Sequence, residues 1–421
     1  MNTKNSGMSF ASSKLFSYLF FVGILSNMVL PTFFVGINIH PALIFSALIL
    51  FFLLFELSSK SKFCLTAWVF FPIILMLLVA VSDLYGKVVL GVAGNNSPLY
   101  NIILLIFTFL PYVIAISKIQ EDISFKIFYR ITNIFFILFL VTSLLQAFGP
   151  RPVSVFLINI YSHGVHTSTA LAGLRYTLTG PDPNTGSAIA AFFIIFYFVF
   201  SVQLRALKYF LPLFASFIPL FLAQGRTVMI GLAVCFFLYF WFISGLKFHH
   251  KIAMFFVILS LLLMGVNLVE VDYLVRGILE LSIGENGSVN VRLQKAFFVF
   301  DNFMKSPIIG QGANLEQYGR VKNIDSEYLL LLQRHGLIGL IFVVGTILLL
   351  MLKATKRLRF SLSAHMLLLL GGVALFVMLT NVFVFNIDTY GLFVIMIYLC
   401  VISKVRYPKK RFTSQSDFIF K

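Results

Sequence analysis

Asp325 and Glu327 form an acidic pair where a long charged loop gives way to an apolar run, in Asp325-Ser326-Glu327-Tyr328. A carboxylate can take a proton from a hydroxyl, and partial burial at a membrane edge makes it a stronger base. Upstream stand Arg292 and Lys295, and then Gly310-Gln311-Gly312. Cations neutralise phosphate, and glycine lets backbone N–H groups come close to a ligand. A base, cations and a backbone turn at one membrane surface suggest chemistry on a lipid-linked, phosphate-bearing substrate.

Arg226 adds to this. It lies in Ala223-Gln224-Gly225-Arg226-Thr227, between two apolar runs with little sequence to make a loop. An arginine within the hydrocarbon costs about 2.5–3.5 kcal/mol, so it must face water, a partner or a ligand. Snorkelling to the surface satisfies it, and a bound anion satisfies it better through two parallel hydrogen bonds. Arg175 precedes Gly180-Pro181-Asp182-Pro183-Asn184, a turn leading into a helix. It reads equally as a solvated charge or as a second phosphate or sugar contact. Asn184 and Thr185 are candidate caps for that helix. His163 and His166 lack an acidic or cysteine partner at ligand spacing, so no metal site is expected. His335 is expected to face the same aqueous vestibule as the loop, or to pack near Gly336.

The elements that must hold these residues are apolar helices. The chain has 421 residues, 60% hydrophobic and only 11% charged. Its mean hydropathy is +0.98. A soluble domain carries about 25% charged residues, so this is an integral membrane protein. The net charge of +17 belongs to cytoplasmic loops, because no soluble basic domain exists to bind nucleic acid. Cys64, Cys235 and Cys400 all fall in apolar runs and imply no disulfide framework.

Apolar runs fall near residues 15–32, 41–57, 63–81, 100–117, 128–148, 186–203, 209–225, 227–246, 251–269, 327–352, 364–385 and 387–403. They predict an all-α, polytopic fold of about twelve transmembrane helices, forming one membrane domain over residues 1–421. The long run after Tyr209 makes two spans only if it turns at Gln224-Gly225-Arg226. With the N-terminus inside, most of the 32 lysines and arginines fall in inside segments, which places both termini in the cytoplasm. The first apolar run lacks a small-x-small cleavage site and reads as a retained helix. Two outside loops are long, over 149–186 and 270–326, and long loops tend to be functional. The second holds Leu293, Phe297, Phe300 and Met304 at helical spacing, an amphipathic helix at the membrane surface.

Together these features resemble the O-antigen polymerase and ligase superfamily of bacterial envelopes. Asp325-Ser326, nine residues, then Gly336 and Gly339 keep the spacing of the ligases' His-containing motif, with Asp in place of His. Arg292 and Pro307-Ile308-Ile309-Gly310-Gln311-Gly312 look like the family's arginine and Pro-x-x-Gly-x-Gly stretch. The segment around Arg226 resembles its intramembrane Ser-x-Arg-Thr, and Pro183-Asn184 its turn before a helix.

The resemblance implies a GT-C-like glycosyltransferase of the inner membrane with long periplasmic loops. Its donor would be a glycan on undecaprenyl pyrophosphate, and its acceptor the next lipid-linked repeat unit. Asp325 would be the general base, with Glu327 in reserve. Arg226 and Arg292, then Arg175 and Lys295, would neutralise the leaving pyrophosphate beside Gly310 and Gly312. No metal or cofactor is required. A chain-length regulator and a flippase are candidate protein partners. Aspartate at 325 favours a polymerase over a ligase that transfers polysaccharide to lipid A–core. Helix capping by Asp325-Ser326 is the competing reading of that position. A lipid-linked oligosaccharide flippase is the reading from another class, but the sequence shows neither two related halves nor a central linker.

Overall fold

The computed structural model describes residues 6–31, 33–34, 38–58, 66–91, 97–119, 121–162, 165–173, 175–204, 207–243, 248–249, 251–252, 256, 287–312, 324, 326–358 and 361–403. Apolar helices dominate it. In chain order they are α1 (Ser6–Val29), α2 (Pro41–Ser58), α3 (Phe70–Val88), α4 (Ser97–Ala115) and α5 (Glu121–Phe148). Two short helices follow, α6 (Arg151–Tyr161) and α7 (Val165–Leu171), and then α8 (Pro183–Leu204), α9 (Phe210–Ala223) and α10 (Arg226–Leu238). The last four are α11 (Gly287–Lys305), α12 (Glu327–Thr355), α13 (Leu362–Val377) and α14 (Ile387–Ile402). One small exception to the all-α expectation exists: Phe33–Phe34 pairs antiparallel with Asn38–Ile39, Phe33 opposite Ile39.

Among the described residues six helices are long and apolar enough to cross a membrane, and five shorter apolar ones accompany them. The expected run at 251–269 lies almost wholly outside the described residues. Two helices end where hydropathy alone does not place them. The run at 63–81 continues as helix to Val88, because Lys87 pairs with Asp83 at 2.7 Å and neutralises it within one turn. The run at 364–385 stops as helix at Val377, and residues 378–386, largely apolar but holding Thr380, Asn381 and Asn386, form a connection instead. The long run after Tyr209 turns at Gln224, which takes a left-handed conformation (φ 54°, ψ 40°).

α8 is buried on nearly every side, as a helix apolar all round must be. It packs on α9, α13 and α14, while α1 packs on α2, α5 and α14. Aromatic rings lock this centre: Phe20, Phe21, Phe128 and Tyr398 meet edge-on or tilted at 4.9–5.9 Å. Phe51, Phe55 and Ile341 lie exposed on outward faces, as lipid-facing residues do.

Polar ties sort the helix ends into two groups. At one end, Tyr161 donates to the Val29 carbonyl at 2.9 Å, Thr179 to Met28 at 2.8 Å and Asn27 to Ile387 at 2.9 Å. The side chain of Gln146 brackets the backbone of Leu178 there, accepting from its N–H at 3.1 Å. At the opposite end, Lys118 meets Glu56 at 3.1 Å, and Arg357 donates to the Cys400 carbonyl and the Ser403 hydroxyl.

α12 is broken at Gly336, where φ is 61° and ψ −160°. That region is open essentially to glycine alone. The break lies about 13 Å along the axis from the helix start. Two carbonyls before it and two N–H groups after it pair with the 307–312 segment. Gln311 and Gly312 donate to the carbonyls of Gln333 and Arg334, each at 2.9 Å. Leu337 and Ile338 donate to the carbonyls of Pro307 and Ile308, at 2.9 and 3.2 Å. In hydrocarbon such exchange is obligatory, since no water can serve the freed groups. A Cβ at Gly336 would stand 2.4 Å from the Ile308 carbonyl oxygen. Gly336→Ala should therefore lower stability by about 1–3 kcal/mol from backbone strain alone, and further by overlap. The measurement is thermal unfolding of the purified protein, and an unchanged Tm would mean that α12 straightens without cost.

Candidate functional site

The end that gathers Val29, Tyr161 and Ile387 also carries the residues singled out in the sequence. Glu327 opens α12 and is 0% exposed. Its own N–H donates to the Met378 carbonyl at 2.9 Å, and Ser326 adds a hydroxyl bond to the same carbonyl at 3.3 Å. The carboxylate is surrounded by the α13–α14 connection. Phe383 N–H donates to Oε2 at 2.9 Å, Phe385 N–H to Oε1 at 3.1 Å, and Val384 N–H to both oxygens at 2.8 and 3.0 Å. Three successive backbone donors make a cradle for an anion, and the helix dipole at the start of α12 favours the same charge. Glu327 was expected as a reserve base. Both its oxygens are instead occupied by backbone donors, and the carboxylate organises residues 378–386. Asp325 lies outside the described residues. Ser326 stands at the cap of α12 but makes no side-chain capping bond.

The connection held by Glu327 faces the turn before α8. Asp182, not Asn184 or Thr185, caps that helix: its Oδ1 accepts from the N–H groups of Asn184 and Thr185 at 2.8 and 3.0 Å. Its Oδ2 accepts the Thr185 hydroxyl at 2.6 Å. Thr185 Oγ1 in turn accepts from the Asn381 and Asn386 amides at 3.2 and 3.3 Å. Asn386 Oδ1 caps α14 through the N–H of Asp388 at 3.0 Å. The Asp182 carboxylate and the Asn381 and Asn386 amides thus meet at Thr185.

Arg175 reaches this surface from the same turn. Its Nη2 donates to Asn184 Oδ1 at 3.2 Å and to the Gln224 carbonyl at 3.4 Å, and its Nε donates to Ala223 at 3.2 Å. A cation at the C-terminus of α9 is favourable. Arg226 is the first residue of α10, two positions beyond the carbonyl that Arg175 binds. Gly225 between them is required, because a Cβ there would stand 2.0 Å from Ser187 Oγ on α8. The structure therefore brings Arg175 and Arg226 to one turn.

α11 carries the other expected cations. Its Leu293, Phe297, Phe300 and Met304 are exposed, and Val299 and Asn302 are buried on the inner face. Lys295 is partly exposed on it. Arg292 falls in α11, but its side chain lies outside the described residues. Gly310 and Gly312 were expected to let backbone meet a ligand. They are left-handed (φ 81° and 86°), and the close approach they permit is to the protein itself. A Cβ at Gly310 would stand 2.5 Å from the Arg334 carbonyl, and one at Gly312 2.7 Å from Asp83 Cα.

His335 is 0% exposed, against the expectation of a vestibule, and its ring packs 5.5 Å from that of Phe385. Sequence reading also passed over Asp182, Asn381, Asn386, Asp388, Gln333 and Arg334. The spacing Asn381, Asn386, Asp388 within an apolar run was the available signal, since polar residues interrupting hydrocarbon need a reason. Among the described residues no group of three or more His, Cys, Asp or Glu could hold a metal ion.

The bundle and this polar end define a polytopic membrane protein with cations, amides and carboxylates gathered at one end of its helices. Residues 210–344, from α9 into α12, match the family model described as O-antigen ligase, consistent with the O-antigen polymerase and ligase superfamily. A comparison with curated proteins gives no match.

Glu327→Gln tests the cradle. The amide NH₂ would face backbone N–H donors, so the folded protein should lose about 2–4 kcal/mol. A fall in Tm accompanied by product loss in proportion to folded protein is expected. A variant of normal Tm with no activity would return Glu327 to a chemical role.

Proposed function

We propose that this chain is a glycosyltransferase that joins lipid-linked oligosaccharide repeat units, with undecaprenyl pyrophosphate as the carrier of the donor. The supporting observation is the meeting of Arg175 and Arg226 with a carboxylate and amide surface at one end of a membrane bundle. Arginines suit the pyrophosphate, and amides suit sugar hydroxyls. The Lys and Arg distribution supports a periplasmic position for that end, with both termini in the cytoplasm.

In the proposed reaction, a hydroxyl of the acceptor repeat unit attacks the reducing-end carbon of the donor glycan. The bond from that carbon to the pyrophosphate oxygen breaks, and pyrophosphate leaves with the electron pair. Arg226 and Arg292, with Arg175 and Lys295 behind them, stabilise the charge that develops on it. Asp325 accepts the hydroxyl proton. Glu327 serves as a positioning residue, holding residues 378–386 against the α8 turn.

The ligase reading is favoured by the description of the matched family. Aspartate where the ligases carry histidine favours the polymerase. A flippase shares one feature with this fold, a helix broken within the membrane. The freed backbone groups of that break are, however, paired to protein.

Reconstitution in liposomes with synthetic undecaprenyl-pyrophosphoryl repeat units separates these readings. A glycan ladder formed without ATP is the expected outcome, whereas transfer only to lipid A–core would support the ligase. Arg226→Ala should slow polymerisation by about 10²–10³. Asp325→Asn should slow it by about 10²–10⁴ while lipid-linked substrate still binds. Near-normal polymer from Asp325→Asn would leave Asp325 as a helix cap.

A further inference from the structure

Three consecutive residues just before the break in α12 carry polar atoms that are buried and have no hydrogen-bond partner among the described residues. They are both amide atoms of Gln333, Nε of Arg334 and both ring nitrogens of His335. Gln333 is 1% exposed and His335 0%. Native folds pair nearly all such groups, so three orphaned side chains in a row require an explanation.

Arg334 is the decisive member. Among the described residues no carboxylate forms an ion pair with it; the ion pairs there are Lys87 with Asp83 and Lys118 with Glu56. A half-buried guanidinium in an apolar bundle is expected to have a counter-charge. The backbone around it is fixed, because its carbonyl accepts from Gly312 and the next residues are held through the break. Part of the residue remains exposed although Nε is not. Successive helix residues fan out by about 100°, so Gln333 and His335 flank the direction that Arg334 takes. Arg334 and Glu327 share a face, seven residues or about 10 Å apart along α12. That depth below the helix start suits the junction between a polar head and a polyprenyl tail.

We propose that Arg334, flanked by Gln333 and His335, is a binding site for the pyrophosphate of a polyprenyl-linked glycan. This rests on the donor proposed above and adds to it a cation on α12. In that complex the guanidinium meets phosphate oxygens, and the Gln333 amide and a His335 N–H can donate to the same anion.

The test uses the purified full chain in phosphatidylcholine nanodiscs, with farnesyl pyrophosphate, farnesyl monophosphate and farnesol as probes. Wild type should bind the pyrophosphate most tightly and gain thermal stability from it. Arg334→Gln should raise Kd about tenfold to a hundredfold, and Arg334→Lys should restore part of the loss. If wild type binds and both variants bind equally well, the Arg334 site is refuted while the donor reading stands. If wild type binds none of the probes, the donor reading fails and the site falls with it. Competition by phosphatidylglycerol nanodiscs as strong as that of the pyrophosphate would reassign Arg334 to an ordinary lipid headgroup and overturn the proposal.

Gln333→Leu guards against misfolding of the arginine variants. It removes an unpaired amide, so the ligand-free protein should unfold at a higher temperature while binding the pyrophosphate more weakly. A lower ligand-free Tm would show that the amide has a structural partner and would remove the premise.

Discussion

Four backbone hydrogen bonds between residues 307–312 and the break in α12 are the constraint on which the site end depends. A helix cannot be interrupted in hydrocarbon unless every freed N–H and carbonyl finds another partner. Here a loop segment supplies partners, in pairs, on both sides of Gly336. Its own glycines make this possible, since Gly310 and Gly312 let backbone lie against backbone. The exchange fixes α11 to α12 and brings 311–312 against the end of α3. The order of events runs from glycine, to backbone pairing, to the placement of a charged surface helix beside the spans.

Glu327 supplies the second tie. Its carboxylate compensates for its burial by accepting from three N–H groups that would otherwise be unpaired on an apolar connection. Charge-assisted bonds of this kind contribute about 1.5–3 kcal/mol each, enough to hold residues 383–385 out of a helix although they are apolar. Asn381, Asn386 and Asp388 are thereby delivered to the turn before α8. The polar surface is a product of two buried pairings, neither of which touches it directly.

Much of the bundle was legible in the sequence. Long apolar runs became helices, and the turn at Gln224-Gly225-Arg226 followed from the length of one run. Helix ends were less legible where a local pairing overrides hydropathy, as for Asp83 with Lys87 and for Glu327 with residues 383–385. The site was legible in part. Arg175 and Arg226 could be chosen because a charge near hydrocarbon is conspicuous. Asn381 and Asp388 were equally conspicuous in an apolar run, but that they meet the turn at Asp182 was not legible, because that contact spans some two hundred positions. Gly310 and Gly312 were conspicuous for the right physical reason, close approach, but the approaching group is protein.

The break in α12 also divides its electric field. A continuous helix carries roughly half a positive charge at its start and half a negative charge at its finish. Interrupted at Gly336, α12 behaves as two shorter dipoles laid end to end, with one finish and one start facing each other inside the bundle. Arg334 occupies the last turn of the first dipole, where carbonyl oxygens lend a cation partial support. The protein can thus hold a guanidinium ready at the edge of an apolar interior, with no carboxylate among the described residues paired to it. An arriving phosphate would meet a charge already in position and only partly screened by the fold.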